Sequence, residues 1–216
     1  MTRDAFHHEL RELEESVVQM ATLVEAAIAS AVQALIQRDI ELAQKVIDGD
    51  NTVNELQKTI RNKTFGVIAR QAPVARDLRE LVTIQLAINE LERMADHAVS
   101  VAKNAIRLAG QPPVKAVINL PEMAKLVRQQ VRDAIQAFVD VNVVTAREIC
   151  ARDDEVDHLY RQMFEELLAS MRDADNVPQA TSLLFVAHDL ERVADRVTNI
   201  CEDVIYMVTG EIEELN

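Results

Sequence analysis

Two pairs of acidic residues stand at a spacing that suits the binding of a cation. Glu92 precedes Asp96 by four residues, and Glu191 precedes Asp195 by the same interval. At 3.6 residues per helical turn, the two side chains of each pair project from one face about one turn apart. Like charges at this spacing destabilise an isolated helix by a few tenths of a kcal/mol. Their occurrence at two places is explained either by a bound metal ion or by the arginine that follows each glutamate.

A second set of oxygen-bearing side chains is predicted to face the first pair. If the segments before and after Pro73 form an antiparallel helical hairpin, residues equidistant from Pro73 lie at the same height. Asn54 and Glu92 each lie 19 residues from this proline. Asp50 and Asp96 each lie 23 residues from it. The sequence therefore predicts that four oxygen donors converge from two helices.

The same geometry is predicted in the second half of the chain. Asp157 and Glu191 each lie 17 residues from Ala174, near the centre of a predicted turn. Asp153 and Asp195 each lie 21 residues from it. Oxygen donors of this kind suit magnesium, manganese, zinc or iron ions, with water completing the coordination. Each half is therefore expected to carry one candidate metal site.

Both candidate sites are expected on the outer faces of their helices. At 100° per residue, Glu92 and Asp96 lie about 110° from the centre of the apolar stripe that begins at Leu91. A merely solvated charged face is an alternative interpretation, because amphipathic helices normally carry acidic residues there. A ferritin-like di-iron site would need two inward-facing Glu-x-x-His motifs, and the chain contains only one, Glu155 to His158.

Six helices are needed to position these residues. They are expected at about residues 4–37, 39–70, 75–109, 120–141, 145–172 and 179–208. From Leu13 onwards, apolar residues three and four apart form the seam of a bundle helix, and the pattern restarts at Leu120. Asp39 is the expected N-cap of the second helix, which breaks at Pro73. A turn that contains Pro178 separates the last two helices.

The two halves are predicted to be copies of one three-helix unit. The segment Leu91-Glu-Arg-Met-Ala-Asp96 reappears as Leu190-Glu-Arg-Val-Ala-Asp195, 99 positions later. Helices two and five align likewise, which places Gly49 opposite Arg152 and inside a helix. The expected fold class is all-α, with two tandem three-helix bundles related by internal duplication. The first bundle, the linker and the second bundle are expected at residues 1–110, 111–120 and 121–216.

The composition fits a helical protein and disfavours binding to nucleic acids. Aromatic residues make up 3% of the chain, and only 4 glycines and 5 prolines interrupt it. The net charge of −13 opposes binding to the phosphates of nucleic acids. The charged N-terminus and the lack of a later run of about 18 apolar residues predict a cytoplasmic location without membrane insertion. Cys150 and Cys201 lack metal-ligand spacing and are expected to be reduced and buried.

Three segments carry a resemblance to a known family. They are Gln71-Ala-Pro-Val-Ala-Arg-Asp-Leu-Arg79, Glu90-Leu-Glu-Arg-Met-Ala-Asp-His97 and Asp189-Leu-Glu-Arg-Val-Ala-Asp-Arg-Val-Thr-Asn-Ile-Cys-Glu202. With them the chain resembles the PhoU family of bacterial phosphate-uptake regulators along essentially its whole length. The resemblance implies that E/D-x-x-x-D motifs hold metal clusters, most often iron or zinc, on the outer surface. The implied ligands are Asp50, Asn54, Glu92, Asp96, Asp153, Asp157, Glu191, Asp195 and Asn199.

The same resemblance implies a regulatory function rather than an enzymatic one. Family members link the phosphate ABC transporter and its ATPase to a phosphate-sensing histidine kinase, and they repress the starvation response when phosphate is plentiful. The kinase, the transporter ATPase and a second copy of the chain are therefore the expected partners. The sequence contains neither a phosphate-cradling glycine loop nor a Ser or Cys nucleophile signature. A metal-dependent hydrolase or oxidase is the alternative, because clustered ions can activate water or oxygen.

Overall fold

The computed structural model describes residues 3–111 and 119–215, and every regular element within these two ranges is a helix. The elements are α1 (Arg3–Gln37), α2 (Ile40–Gln71), α3 (Ala75–Leu108), α4 (Leu120–Val139), α5 (Val143–Cys150), α6 (Asp153–Ser170) and α7 (Val177–Thr209), with a short 3-10 helix at Ala174–Asn176. The prediction of an all-α fold is confirmed. Most of the predicted linker at 111–120 lies outside the described residues, and the predicted domain boundaries stay a prediction.

The first three helices begin and end close to the predicted residues because local signals define their ends. Asp39 accepts a hydrogen bond from the backbone N–H of Leu42 at 2.9 Å, so it is the N-cap of α2. Ala72 adopts a left-handed backbone with a φ of 45°, and Pro73 cannot continue the helix. Gly49 lies inside α2, as the alignment of the two halves predicted.

The prediction of a continuous fifth helix is wrong, because the structure divides it into α5 and α6. Helix α5 ends at Cys150, and a two-residue turn precedes the start of α6 at Asp153. Within this turn the carbonyl of Arg152 accepts a hydrogen bond from the Gln130 side chain at 3.3 Å. The guanidinium group of Arg152 forms a salt bridge with Asp133 on α4 at 2.9 Å. These contacts draw the turn towards α4, and three acidic residues in the first turn of α6 favour a new helix N-terminus there.

The connection before the last helix is shorter than predicted. Pro178 lies in the first turn of α7 rather than in the turn, at a position where its missing N–H costs no helical hydrogen bond. Gly210 ends α7 with a φ of 77°, and its N–H donates to the carbonyl of Tyr206 at 2.8 Å. Glycine adopts this left-handed conformation without the steric penalty of a side chain.

Helices α3 and α7 form the centre of the molecule and pack against each other. Helices α1 and α2 complete the first unit around α3, while α4, α5 and α6 complete the second unit around α7. Helix α1 also packs against α4, so the buried apolar side chains of both units form one continuous core. The two-unit architecture predicted from the duplication is confirmed, with the middle helix of the second unit broken.

Two acid–base pairs join α3 to α7 in a reciprocal arrangement. Arg196 approaches Glu90 at 3.4 Å, and the Nδ1 atom of His97 lies 3.0 Å from an oxygen of Asp189. Through the repeat of 99 positions, Glu90 corresponds to Asp189 and His97 corresponds to Arg196. The two contacts are therefore equivalent, because each unit contributes the acidic residue to one contact and the basic residue to the other. A pseudo-twofold axis that passes between the antiparallel helices α3 and α7 relates the two units.

Helix α1 contains a stretch that is long and apolar enough, by length and composition alone, to cross a membrane. The same criterion is met by helices that lie in protein cores. In this structure the apolar seam through Leu13, Val17, Met20 and Val24 is fully buried in the bundle. Packing within the bundle therefore accounts for the hydrophobicity of α1.

A pair of carboxyl groups between α1 and α3 makes stability depend on pH. Glu80 on α3 is partly buried and its carboxyl group is hydrogen-bonded to that of Glu14 on α1. Burial, together with this hydrogen bond and the negative charge of Glu14, raises the pKa of Glu80 from 4.5 to about 7. Glu80 therefore keeps its proton up to about pH 7 and shares it with Glu14 through this hydrogen bond.

Replacing Glu80 with Gln should remove this pH dependence. Because the folded pKa lies above the ordinary value of 4.5, the contribution of Glu80 to stability is greatest below pH 4.5 and is lost as the pH rises through about 7. The thermal midpoint of Glu80→Gln should therefore exceed that of the wild type at pH 8 but differ little at pH 5. Circular dichroism measures both, with the exposed Glu15→Gln as the control. An equal gain at both pH values would contradict the shared proton.

Candidate metal centres

The first cluster lies where the outer faces of α2 and α3 meet. On α2, the side-chain amide of Asn54 donates a hydrogen bond of 2.7 Å to Oδ2 of Asp50. On α3, Glu92 is half-buried and Asp96 is exposed. Burial and then the charge of Asp96 raise the pKa of both Asp50 and Glu92. The side chains that the hairpin geometry was predicted to bring together therefore lie within electrostatic range of one another.

The second cluster is more strongly charged and lies between α6 and α7. Its members are Asp153, Asp157, Glu191 and Asp195, and all four line one polar groove of about 650 Å³. Burial raises the pKa of Asp153 from 3.8 to about 6, and the three other carboxylates add to the shift. Burial also raises the pKa of Glu191 and of Asp195. Four carboxylates on two helices thus repel one another in a partly desolvated groove.

The arginine that follows each glutamate does not offset the effect of burial on the nearby carboxyl groups. Arg192 lies 2.5 Å from Asp195 and favours its charged form, yet burial outweighs this effect and the pKa of Asp195 is raised. Arg93 contacts Glu90 at 3.6 Å, and its charge leaves the pKa of Glu92 raised as well. The arginines therefore do not offset the effect of burial on these carboxyl groups, and both explanations that the sequence offers for the acidic pairs stay open.

One buried carboxylate oxygen in each cluster has no hydrogen-bond partner among the described residues. These atoms are Oδ1 of Asp50 and Oε2 of Glu191. The Nδ1 atom of His188 lies 3.3 Å from Oε2 of Glu191. A buried acceptor without a donor carries a penalty of about 1–3 kcal/mol, which a bound cation would offset. The donor type and the unpartnered oxygens fit a divalent or trivalent metal ion, and so does the excess of carboxylates over arginines in the second groove.

The present side-chain conformations do not form a closed coordination sphere. In residues 3–111 and 119–215, no group of three or more His, Cys, Asp or Glu side chains stands close enough together to hold a metal ion. The Asn54–Asp50 hydrogen bond and the Arg192–Asp195 ion pair would have to yield before the oxygens could turn towards a common ion. The assignment of the nine residues as metal ligands stays a prediction.

Asn199, the ninth predicted ligand, lies between the second cluster and the α3–α7 interface. It lines the same groove as Asp195, but its side-chain amide donates to Glu90 on α3 at 3.2 Å. The same oxygen of Glu90 also accepts a hydrogen bond from Arg196 at 3.4 Å. The wall of the second groove is thereby tied to the first unit.

Four residues that organise this interface are not among the site residues predicted from the sequence, namely Glu90, His97, Asp189 and Arg196. They stand at the two ends of the repeated eight-residue segment, which is acidic at its first position and basic at its last. Such a segment pairs with its own copy when the two copies pack antiparallel. The signal is present in the sequence, but it has this meaning only once α3 is known to pack against α7.

The fold and the two clusters define a class of duplicated three-helix proteins with a carboxylate cluster on the outer face of each unit. The model of the PhoU domain matches residues 17–105 and again residues 120–204, one match for each unit. A homologue of the phosphate-specific transport system accessory protein PhoU from Clostridium acetobutylicum is 40% identical over 218 residues, which cover 100% of both chains. This chain belongs to the PhoU family.

Other relatives and solved structures agree with this assignment. The phosphate-specific transport system accessory protein PhoU of Escherichia coli is 31% identical over 207 residues, covering 95% of this chain and 86% of that protein. The crystal structure of PhoU from Pseudomonas aeruginosa superimposes with a TM-score of 0.90 at 32% identity, covering 95% of this chain and 100% of that one. The crystal structure of the phosphate transport system regulatory protein PhoU from Streptococcus pneumoniae superimposes with a TM-score of 0.89 at 32% identity, covering 97% of this chain and 99% of that one. The family resemblance seen in the sequence is confirmed.

Changing Asp96 and Asp195 together to Asn should sharply lower the metal content of the purified protein. Each substitution removes an anionic ligand while keeping its size, and neither side chain belongs to the core, so stability should change by only about 0.5 kcal/mol. Elemental analysis of untagged protein gives the stoichiometry. The control is Asp48→Asn with Asp175→Asn, which removes the same charge from exposed positions outside the clusters. Wild-type metal content in the first variant would refute the assignment.

Proposed function

We propose that this protein regulates phosphate uptake and phosphate-starvation signalling as a metal-binding adaptor. It would link the phosphate ABC transporter to a sensor histidine kinase and repress the starvation response when phosphate is plentiful. The observation that carries the proposal is the full-length match to relatives named accessory proteins of the phosphate-specific transport system. Two equivalent units, each with its own acidic cluster, suit a protein that must contact more than one partner.

Binding, rather than catalysis, is the activity that the clusters favour. Five acidic residues line the groove of the second cluster, together with Arg192, Arg196 and Asn199. A metal ion, when bound, would supply positive charge on a surface that is otherwise strongly negative. The nine predicted ligands would hold it, with iron, zinc, magnesium or manganese as compatible ions. No comparison favours the metal-dependent hydrolase or oxidase that the sequence leaves as an alternative.

Exposed apolar side chains at equivalent positions of the two units support a role in partner binding. Leu86 on α3 is 38% exposed, and Phe185, 99 positions later on α7, is 54% exposed. Phe65 on α2 and Leu168 on α6, which correspond through the repeat of 103 positions, are 55% and 57% exposed. Leu86 lines the same surface pocket as Glu92, so apolar and acidic groups adjoin there. Surfaces of this kind mark sites of protein–protein contact.

The partners proposed for these surfaces are the phosphate-sensing histidine kinase and the ATPase of the phosphate ABC transporter, with a second copy of this chain as a further partner. The proposed location is the cytoplasm, without insertion into the membrane, where the protein would meet the cytoplasmic parts of the kinase and of the transporter. A net charge of −13 would steer a basic surface of either partner towards the protein. The same charge disfavours nucleic acid as a partner.

Direct binding of inorganic phosphate should require bound metal. A phosphate dianion that approaches a surface with a net charge of −13 is repelled unless a metal ion supplies the opposite charge. Titration calorimetry should therefore detect phosphate binding only with the metal-loaded protein, and not with protein stripped by a chelator. Equal affinity for phosphate in the two forms would overturn this expectation.

Deleting the gene should leave the phosphate-starvation response switched on in abundant phosphate. A regulator without chemistry acts only through its different affinities for two states of a partner, so its removal releases the partner completely. Complementation with Glu92→Ala and Glu191→Ala together should restore repression only in part, because one anion is lost from each cluster. A starvation reporter measures both strains.

The matched control for this experiment is Glu55→Ala with Glu165→Ala, which removes two exposed acids outside the clusters and should restore full repression. Normal repression in the uncomplemented deletion strain would defeat the regulatory proposal.

Raising the ionic strength should weaken kinase binding mainly by slowing association, because screening reduces electrostatic steering.

A further inference from the structure

The two cysteines of the chain contact each other through their side chains. Cys150 is the last residue of α5, Cys201 lies on α7, and the two thiols are hydrogen-bonded. Cys150 is 6% exposed and Cys201 is completely buried. A disulfide needs the sulfur atoms about 2.05 Å apart, so two hydrogen-bonded thiols have to move closer together before the bond can form.

Packing alone does not require thiols at these two positions. Through the repeats of 103 and 99 positions, Cys150 corresponds to Ile47 on α2 and Cys201 corresponds to Ala102 on α3. Ile47 packs against the core and Ala102 is fully buried within it. An aliphatic pair therefore fills the equivalent site of the first unit, and the second unit alone carries a pair that can be oxidised.

Cys150 is the thiol that a small oxidant can reach. It lines the polar groove that also contains Asp153, Asp157, Glu191 and Asp195. The carboxylates of the groove repel anionic reagents, but they do not exclude a small neutral molecule such as hydrogen peroxide. Cys201 is completely buried, so Cys150 is the thiol that meets the oxidant first.

We propose that Cys150 and Cys201 are a redox pair that forms a reversible intramolecular disulfide between α5 and α7, beside the second carboxylate cluster. The proposal does not depend on metal binding or on the proposed function.

The oxidation takes two electrons from the two thiols and gives them to one molecule of hydrogen peroxide. The Cys150 thiolate attacks one peroxide oxygen, the O–O bond breaks, and a sulfenic acid forms as hydroxide leaves and takes up a proton. The Cys201 sulfur then attacks the Cys150 sulfur, its S–H proton passes to the departing hydroxyl, and water leaves. Two thiols and one peroxide give one disulfide and two molecules of water. A thiol reductant reverses the reaction.

The disulfide would fasten the α5–α6 junction to α7. Cys150 directly precedes the turn that divides the two helices, and Asp153 of the cluster follows three residues later. The turn can absorb the small backbone shift that a disulfide requires. Closing a loop of about 50 residues should raise the thermal midpoint by roughly 5–15 °C, and hydrogen exchange at the start of α6 should slow.

The test is to treat the purified full-length protein with hydrogen peroxide, digest it without reduction and analyse the peptides by mass spectrometry. The expected product is a peptide pair that links Cys150 to Cys201, with loss of both free thiols, a monomeric band on a non-reducing gel and full reversal by dithiothreitol. Sulfinic acid on Cys150 beside a free Cys201 thiol would overturn the proposal. So would two thiols that stay unreacted in the folded protein but link once it is unfolded.

Two variants test the order of the two oxidation steps. Both should fold, because alanine and valine are residue types that occur in apolar packing. Cys201→Ala should accumulate a sulfenic acid on Cys150, which dimedone traps. Cys150→Val should leave Cys201 as an unmodified thiol under the same treatment, because Cys201 is completely buried. Circular dichroism confirms that each variant is folded. Oxidation of Cys201 in the second variant at the wild-type rate would contradict the assignment of Cys150 as the attacking thiol.

Discussion

The antiparallel packing of α3 against α7 is the contact on which the rest of the structure depends. The repeated segment Leu-Glu-Arg-x-Ala-Asp has two faces. Its leucine and alanine, such as Leu91 and Ala95 in the first unit, are buried in the shared core. Its glutamate and aspartate point to the outer face, where they meet α2 or α6. One short segment therefore both joins the two units and carries half of each carboxylate cluster, so the position of the clusters is set by the core.

The shared core is large enough to tolerate the repulsion within the clusters. The shift of the pKa of Asp153 from 3.8 to about 6 corresponds to at most about 3 kcal/mol, and solvent screening reduces that figure. A fully buried leucine or isoleucine contributes about 1.5–3 kcal/mol. Two such side chains, for example Leu91 and Ile88, offset the largest of these penalties. The protein can therefore fold despite the repulsion within the clusters. The presence of a cluster in both units favours a role in binding over a role in stability.

Local signals explain how much of the fold the sequence predicts. Asp39 caps α2 and Pro73 ends it, so the ends of that helix follow from side-chain chemistry close by in the chain. The division of the predicted fifth helix at Arg152 could not be found in this way, because its cause is contact with Gln130 and Asp133 on another helix. The carboxylate clusters follow from helical spacing and hairpin geometry. The acid–base pairs of the α3–α7 interface do not, because they need the packing of the two units.

The two units differ at two positions in and beside their sites. Where the first unit has Asn54 and Ile47, the second has Asp157 and Cys150. The second cluster therefore contains one more carboxylate, and an oxidisable thiol lines its groove. The two sites cannot respond equally to a cation or to an oxidant. The proposed adaptor would influence each partner only through the difference in affinity that its own states provide. Two unlike sites would allow its two units to respond differently.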